Sequence, residues 1–149
     1  MPDSTVPFGL DDHLCFAVYA AGHAFNRVYK PLLERLGLTY PQYLAMLVLW
    51  EGGEPAVKAR GERLGLDSGT LTPLLKRLEA RGLVTRRRDA ADERSVLIGL
   101  TEAGRKLQEA ARAVPKAIGC AVDRSWEDAV RLRKELVALR EALDRAVVE

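Results

Sequence analysis

The run from Gly65 to Leu100 constrains this chain more than any other part of it. Gly65-Leu66-Asp67-Ser68-Gly69 is a tight turn, and Asp67 or Ser68 is placed to cap a helix over residues 71–81, with Gly82 as its stop. Residues 83–88 and 94–100 are β-prone runs around the acidic turn Asp89-Ala90-Ala91-Asp92-Glu93, the pattern of a hairpin. Residues 57–65 read as a short helix ahead of the turn. Two short helices joined in this way form a helix-turn-helix, and a hairpin behind it makes a winged helix. The expected fold is mainly α, with the wing as its β element.

Helical stripes flank this lobe. Asp11 or Asp12 can cap a first helix in which Leu14, Val18, Ala21, Phe25, Val28, Leu32 and Leu36 recur at spacings of three and four. Pro31 should kink or divide that helix, and Gly37 should end it. Thr39-Tyr40-Pro41-Gln42 reads as a capping box opening an apolar helix to about Trp50, and Gly52-Gly53-Glu54-Pro55 is a turn. Thr101 is placed to cap a helix past Leu107 and Ala111 that Pro115 kinks or stops. Ser125-Trp126-Glu127-Asp128 resembles a second capping box, before a last helix striped by Val130, Leu132, Leu136, Leu139, Leu143 and Val147. Residues 1–149 are therefore read as one domain, with a winged lobe at 57–100 between helical regions at 11–50 and 101–149. The flanking helices have no core of their own to cover, which points to a homodimer in which these ends pack on their mates.

Composition agrees with a folded domain of 149 residues: 48% of residues are hydrophobic and 30% charged, outside the range of chains disordered by low hydropathy and high charge. No apolar run approaches the ~20 residues of a membrane span, and Met1-Pro2-Asp3-Ser4 does not open a signal peptide. A cytoplasmic location is expected. The net charge of +2 is unevenly placed. Residues 57–106 hold 12 Lys and Arg against 7 Asp and Glu, a net +5, and the remainder holds 11 against 14, a net −3. A basic middle between acidic flanks suits a lobe that faces nucleic acid, and equally a solvated charged face. Cys15 and Cys120, with only His13 and His23 beside them, cannot supply a four-ligand zinc site of the usual spacing, and no cofactor is expected. Two distant cysteines in a reducing compartment are ordinarily small buried hydrophobes. His13 and His23 read as solvated or packing residues, and Met46 and Trp50 as core.

The motifs resemble a known family. Residues 67–79, Asp-Ser-Gly-Thr-Leu-Thr-Pro-Leu-Leu-Lys-Arg-Leu-Glu, followed by Gly82-Leu83-Val84, look like the recognition helix of MarR-type regulators. Asp92-Glu93-Arg94-Ser95 matches that family's Asp-x-Arg wing tip. Leu14-Cys15-Phe16-Ala17, with Tyr19, Tyr29, Pro31, Leu32, Tyr40, Pro41, Gln42 and Tyr43, resembles the branch of the organic hydroperoxide resistance regulators, and Cys120 fits its two-cysteine type. Arg60, where the family usually carries an apolar residue, and Gly65, where a larger side chain is common, depart from the pattern.

The resemblance implies a non-enzymatic repressor that binds double-stranded operator DNA as a homodimer and senses an organic hydroperoxide. Cys15 would be the redox-sensing thiolate, favoured by the dipole and free N–H groups of its helix's first turn. Tyr19, at i+4 from it, shares its face. Tyr19, Tyr29 and Tyr40 would hydrogen-bond the thiolate, the last two reaching it only through tertiary or cross-dimer packing. Cys120 would be the resolving thiol of an intersubunit disulfide, and packing in its apolar run is the alternative. Ser68, Thr70, Thr72, Lys76 and Arg77 would lie on the exposed face of the recognition helix, over a core face of Leu71, Leu74, Leu75 and Leu78. Arg94 would enter the minor groove, with Asp92 orienting it. Arg86, Arg87 and Arg88 are phosphate candidates, although three neighbours on a strand cannot all face one way. Two rival readings are a MarR-type repressor released by a small phenolic ligand, with Cys15 inert, and a thiol-dependent peroxidase; the winged helix disfavours the latter.

Overall fold

The computed structural model describes residues 8–52, 57–58, 68–88, 90–91 and 96–147, the side chains of residues 57, 58 and 68 excepted. A 3-10 turn, Leu10–Asp12, leads into α1, Leu14–Glu34, with His13 as the extended residue before it. The expected cap at Asp11 or Asp12 is therefore corrected. Asp12 turns its carboxylate backward to accept the Gly9 N–H at 3.1 Å, and the helix starts only after that turn closes. Pro31 lies inside α1 and does not divide it.

Gly37, at φ +66°, ends the helix: its N–H donates to the Glu34 carbonyl at 3.0 Å and the Leu38 N–H donates to Leu33 at 3.1 Å. This paired closure needs a left-handed residue, which is why glycine stands there. The expected capping box then opens α2, Tyr40–Gly52. Gln42 N–H donates to Thr39 Oγ1 at 3.3 Å, and Thr39 N–H donates to Gln42 Oε1 at 3.0 Å.

Helix α3, Ser68–Ala80, is the recognition helix of the sequence reading. Its Leu71, Leu74, Leu75 and Leu78 are all buried, as their spacing requires, and Gly82, at φ +74°, ends it with the same paired closure seen at Gly37. Ser68 already lies within the helix and so is not the cap. The remaining candidate, Asp67, and most of the expected helix over 57–65, including Arg60 and Gly65, lie outside the described residues. At Val57 and Lys58 the helix is corrected to a strand, β1 (Val57–Lys58), paired with the wing. The wing itself is β2, Val84–Arg88, antiparallel to β3, Val96–Leu100, in the register Val84↔Leu100 and Arg88↔Val96; the strand order is β1-β3-β2. β-Branched Val57 can continue a ladder as readily as it can start a helix, and pairing with Ile98 decides it.

Thr101 caps α4, Glu102–Ala111, by accepting the Gly104 N–H at 3.0 Å. Helix α5, Ala113–Val122, begins before Pro115 rather than ending at it. The break falls at Arg112 because the proline lacks an N–H and its ring clashes with the carbonyl four residues back, that of Ala111. Ser125 opens α6, Trp126–Val147, with its Oγ accepting the Asp128 N–H at 3.1 Å.

The chain divides into two compact units, Met1–Val114 and Pro115–Glu149. The core of the first lies among α1, α2, α3 and the sheet, centred on Met46, Leu78, Val84 and Ile98, each at most 2% exposed. Burying side chains of this size contributes about 1.5–3 kcal/mol apiece. The helical stripes behave differently. Leu14, Val18, Phe25 and Val28 of α1 are 38–64% exposed, as are Leu132, Leu136 and Leu143 of α6 at 39–58%. Among the described residues, no helix is long and apolar enough to cross a membrane.

Candidate thiol site and nucleic-acid interface

Cys15 is the second residue of α1, and its side chain is exposed. That corrects the reading of a small buried hydrophobe. It lines an open cavity of about 620 Å³ with Phe8, Leu10, His13, Phe16 and Tyr19, a wall mostly of carbon. The Nδ1 of His13 lies 2.7 Å from the Gly9 carbonyl, which can only accept, so that nitrogen carries the proton. Phe8 packs edge-on against the same ring at 5.9 Å. Tyr19 shares the Cys15 cavity as its i+4 position requires, and its ring meets His23 at 4.3 Å.

Tyr29 and Tyr40 are brought together, with ring centroids 4.8 Å apart, and Tyr43 joins them 5.9 Å from Tyr29. Burial, followed by the neighbouring Tyr40 and Tyr43 phenols, pushes Tyr29 up from 10.0 to about 12. Burial and Tyr40 also raise Tyr43. Tyr29 and Tyr43 are thereby held as protonated phenols, able to donate hydrogen bonds. Tyr29 and Tyr40 line a second cavity of about 560 Å³ along α1 with Val18, His23 and Asn26, and Tyr19 borders both cavities. At 1.5 Å per residue, Tyr29 lies roughly 21 Å along the helix from Cys15, so this chain's own Tyr29 and Cys15 do not share a pocket.

Cys120 lies on α5 and is likewise an exposed free thiol in the single chain. A groove of about 350 Å³ in the second unit is lined by Val122, Ala129, Leu132, Arg133, Leu136, Val137 and Arg140. Among the described residues no group of three or more His, Cys, Asp or Glu could hold a metal ion.

On α3, Thr70, Thr72, Lys76 and Arg77 are exposed on the side opposite the buried leucines. The side chain of Ser68, together with Asp92 and Arg94, lies outside the described residues. On β2, Arg86 shares the face of buried Val84 and is half-buried, while Arg87 and Arg88 are exposed. The Nε of Arg86 pairs with Glu79 Oε1 at 3.3 Å, so this arginine braces the wing against the recognition helix. Its seven-residue separation across a turn hides that pair from helical or strand periodicity.

Sequence reasoning also missed Phe8, Leu10 and Phe16 as cavity walls and Tyr43 as the third ring. The Tyr40-to-Tyr43 spacing of three on one helix was the available signal for the last. Trp50, read as core, keeps a polar duty: its Nε1 donates to the Gly104 carbonyl at 2.9 Å.

Residues 27–111 match the family model described as transcriptional regulator SarA/Rot. The chain is 52% identical, over 90% of its length and 91% of the relative's, to the organic hydroperoxide resistance transcriptional regulator of Bacillus subtilis. Its fold is similar to that of AbfR of Staphylococcus epidermidis, solved in several states. The reduced, DNA-bound form superposes with a TM-score of 0.77 at 36% identity, covering 93% of this chain and 94% of that one. A disulfide form gives 0.62 at 39% identity, covering 86% and 92%. With that identity across nearly the whole chain, and with the recognition helix, wing strands and Cys15 helix in place, the chain belongs to the MarR-type winged-helix transcriptional regulators, in the branch of the organic hydroperoxide resistance regulators.

Proposed function

We propose that this chain is a dimeric repressor that binds operator DNA when reduced and is released when an organic hydroperoxide oxidises Cys15. The observation that carries the reading is the exposed Cys15 thiol in the first turn of α1, facing a cavity walled by Phe8, Leu10, Phe16 and Tyr19. An apolar wall favours an alkyl or aryl hydroperoxide over a small, strongly hydrated peroxide. The Bacillus relative's name and the reduced, DNA-bound and disulfide states of AbfR support the same reading.

The Cys15 thiolate attacks the terminal peroxide oxygen and the O–O bond breaks. Sulfur is oxidised to the sulfenic acid, and the alkoxide that leaves takes a proton and departs as an alcohol. Tyr29 and Tyr40 of the partner subunit supply the phenolic hydrogen bonds that this chain's own pair is too far along α1 to give. Dimerisation through the exposed α1 and α6 stripes would bring them there. Cys120 of the partner subunit then condenses with the sulfenic acid, forming the S–S bond and releasing water.

In the reduced dimer the N-terminal part of α3 enters the major groove. There Ser68, Thr70 and Thr72 offer hydroxyls, and Lys76 and Arg77 offer charge. Arg94 reaches the minor groove from the wing, oriented by Asp92. Residues 57–100 act as the DNA-reading lobe and 11–50 with 101–149 as the sensing and dimerising body, in the cytoplasm where the operator is.

The test is a non-reducing gel of protein treated with cumene hydroperoxide. Wild type should run as a covalent dimer, and Cys15→Ser and Cys120→Ser should stay monomeric. A dimer band that persists in Cys120→Ser removes that thiol from the scheme. Sustained peroxide turnover with a thiol reductant would favour an enzyme instead.

A further inference from the structure

We infer that Arg81 is a positioning residue, whose guanidinium ties the end of the recognition helix to the end of the thiol-bearing helix and so carries the state of α1 to α3. The inference rests on the redox reading above, to which it adds the route of transmission.

Arg81 is the first residue after α3. Its Nη1 donates to the Gly37 carbonyl and its Nη2 donates to Leu36 at 3.3 Å, across 44 and 45 residues of sequence. Both acceptors belong to the turn that closes α1, the helix carrying Cys15. The planar fork meets two adjacent carbonyls at once, a geometry that lysine's single ammonium cannot reproduce. Gly37 is shaped to receive it. Besides its φ of +66°, a Cβ at this position would lie 2.7 Å from Arg81 Nη2, in space the guanidinium fills. Glycine here both closes α1 and leaves room for the tie.

The next two residues attach elsewhere. Thr101 Oγ1 donates to the Gly82 carbonyl at 2.6 Å, and the Thr101 N–H donates to the Leu83 carbonyl at 3.1 Å. The same Thr101 caps α4, and Trp50 Nε1 anchors α2 to α4 through the Gly104 carbonyl. The three-residue turn 81–83 is thus where the end of the recognition helix meets α1 on one side and α4, the helix leading in sequence to Cys120, on the other. Arg81 supplies the link to α1.

Stability alone does not explain where this tie is placed. Two hydrogen bonds from an exposed guanidinium add little beside the four leucines buried under α3. What such a bond sets well is the relative orientation of two elements, and rigid-body reorientation of packed elements is one of the ways proteins switch affinity.

The experiment uses the full-length protein and a duplex selected from a random pool by the reduced wild type. Duplex affinity is measured before and after cumene hydroperoxide, and Cys15 oxidation is followed by thiol trapping. Arg81→Met should be oxidised at the wild-type rate, yet its loss of affinity on oxidation should be at least tenfold smaller than the wild-type loss. Arg81→Lys should behave like Arg81→Met rather than wild type. Gly37→Asn, which tolerates the left-handed backbone but displaces the fork, should do the same. A purely structural role would lower affinity equally in both redox states and leave the ratio unchanged.

A second readout needs no oxidant, because coupling between two sites is reciprocal. Duplex binding should slow hydrogen exchange at the Gly37 and Leu38 amides in wild type and not in Arg81→Met. A wild-type ratio and wild-type protection in Arg81→Met overturn the inference. If wild-type Cys15 is oxidised and the duplex stays bound, the redox reading fails, and the exchange measurement still decides the role of Arg81.

Discussion

Tyr29 shows how one side chain's surroundings set its chemistry. Its phenol is pushed to about 12 by burial first and then by Tyr40 and Tyr43. A raised value in the folded state means that the native protein holds this proton more tightly than the unfolded chain does. The resulting stability is fully present below pH 10 and is lost as pH rises from there through about 12. Denaturant midpoints measured across that window should fall for wild type and fall less steeply for Tyr29→Phe. Cys15 shows the opposite use of position. A cysteine count of two suggested incidental core residues, and periodicity could not reveal that Cys15 faces a cavity. What makes it a candidate site is the wall supplied by Phe8 and Leu10, residues ahead of the helix whose positions depend on the 3-10 turn.

At the scale of elements, the parts of the fold legible in the sequence are those fixed by local chemistry. Thr39 with Gln42 and Ser125 with Asp128 cap as their spacing dictates, and Gly37 and Gly82 close helices through positive φ. Where a non-local contact decides, sequence alone falls short. Val57 joins a strand because Ile98 is there to pair with it, Arg86 turns to Glu79, and Arg81 reaches back to Leu36 and Gly37.

Gly104 belongs to the same class. It reads as an ordinary helix residue, but a Cβ there would overlap the Leu83 carbonyl oxygen, against which α4 packs without clearance. Gly104→Ala should therefore destabilise the protein, by about 1–3 kcal/mol, despite alanine's better helix propensity. Urea unfolding would measure it, and a stabilised variant would show that α4 can shift at little cost. Recognition by α3 has its own signature. Lys76→Gln should weaken binding to every duplex by a similar factor and reduce the slope of log affinity against log salt by about 1, if Lys76 neutralises a phosphate. An unchanged slope would remove Lys76 from the phosphate contacts.

At the scale of the molecule, one chain leaves apolar stripes on α1 and α6 that a lone monomer has little reason to expose, as expected of surfaces that a second copy would cover. Tyr29 and Cys15, far apart on one helix, make chemical sense together only if a second copy supplies one of them. The +5 of residues 57–106 falls on the lobe that carries α3 and the wing, so the division of charge follows the division of labour proposed for the dimer. The central claim is that oxidation of Cys15 releases DNA, and fluorescence anisotropy of a labelled operator duplex tests it most directly. One equivalent of cumene hydroperoxide should release the duplex from wild type within the time Cys15 takes to oxidise and leave Cys15→Ser bound. Release of Cys15→Ser to the same extent, or a wild type that stays bound with its Cys15 fully oxidised, would contradict the account.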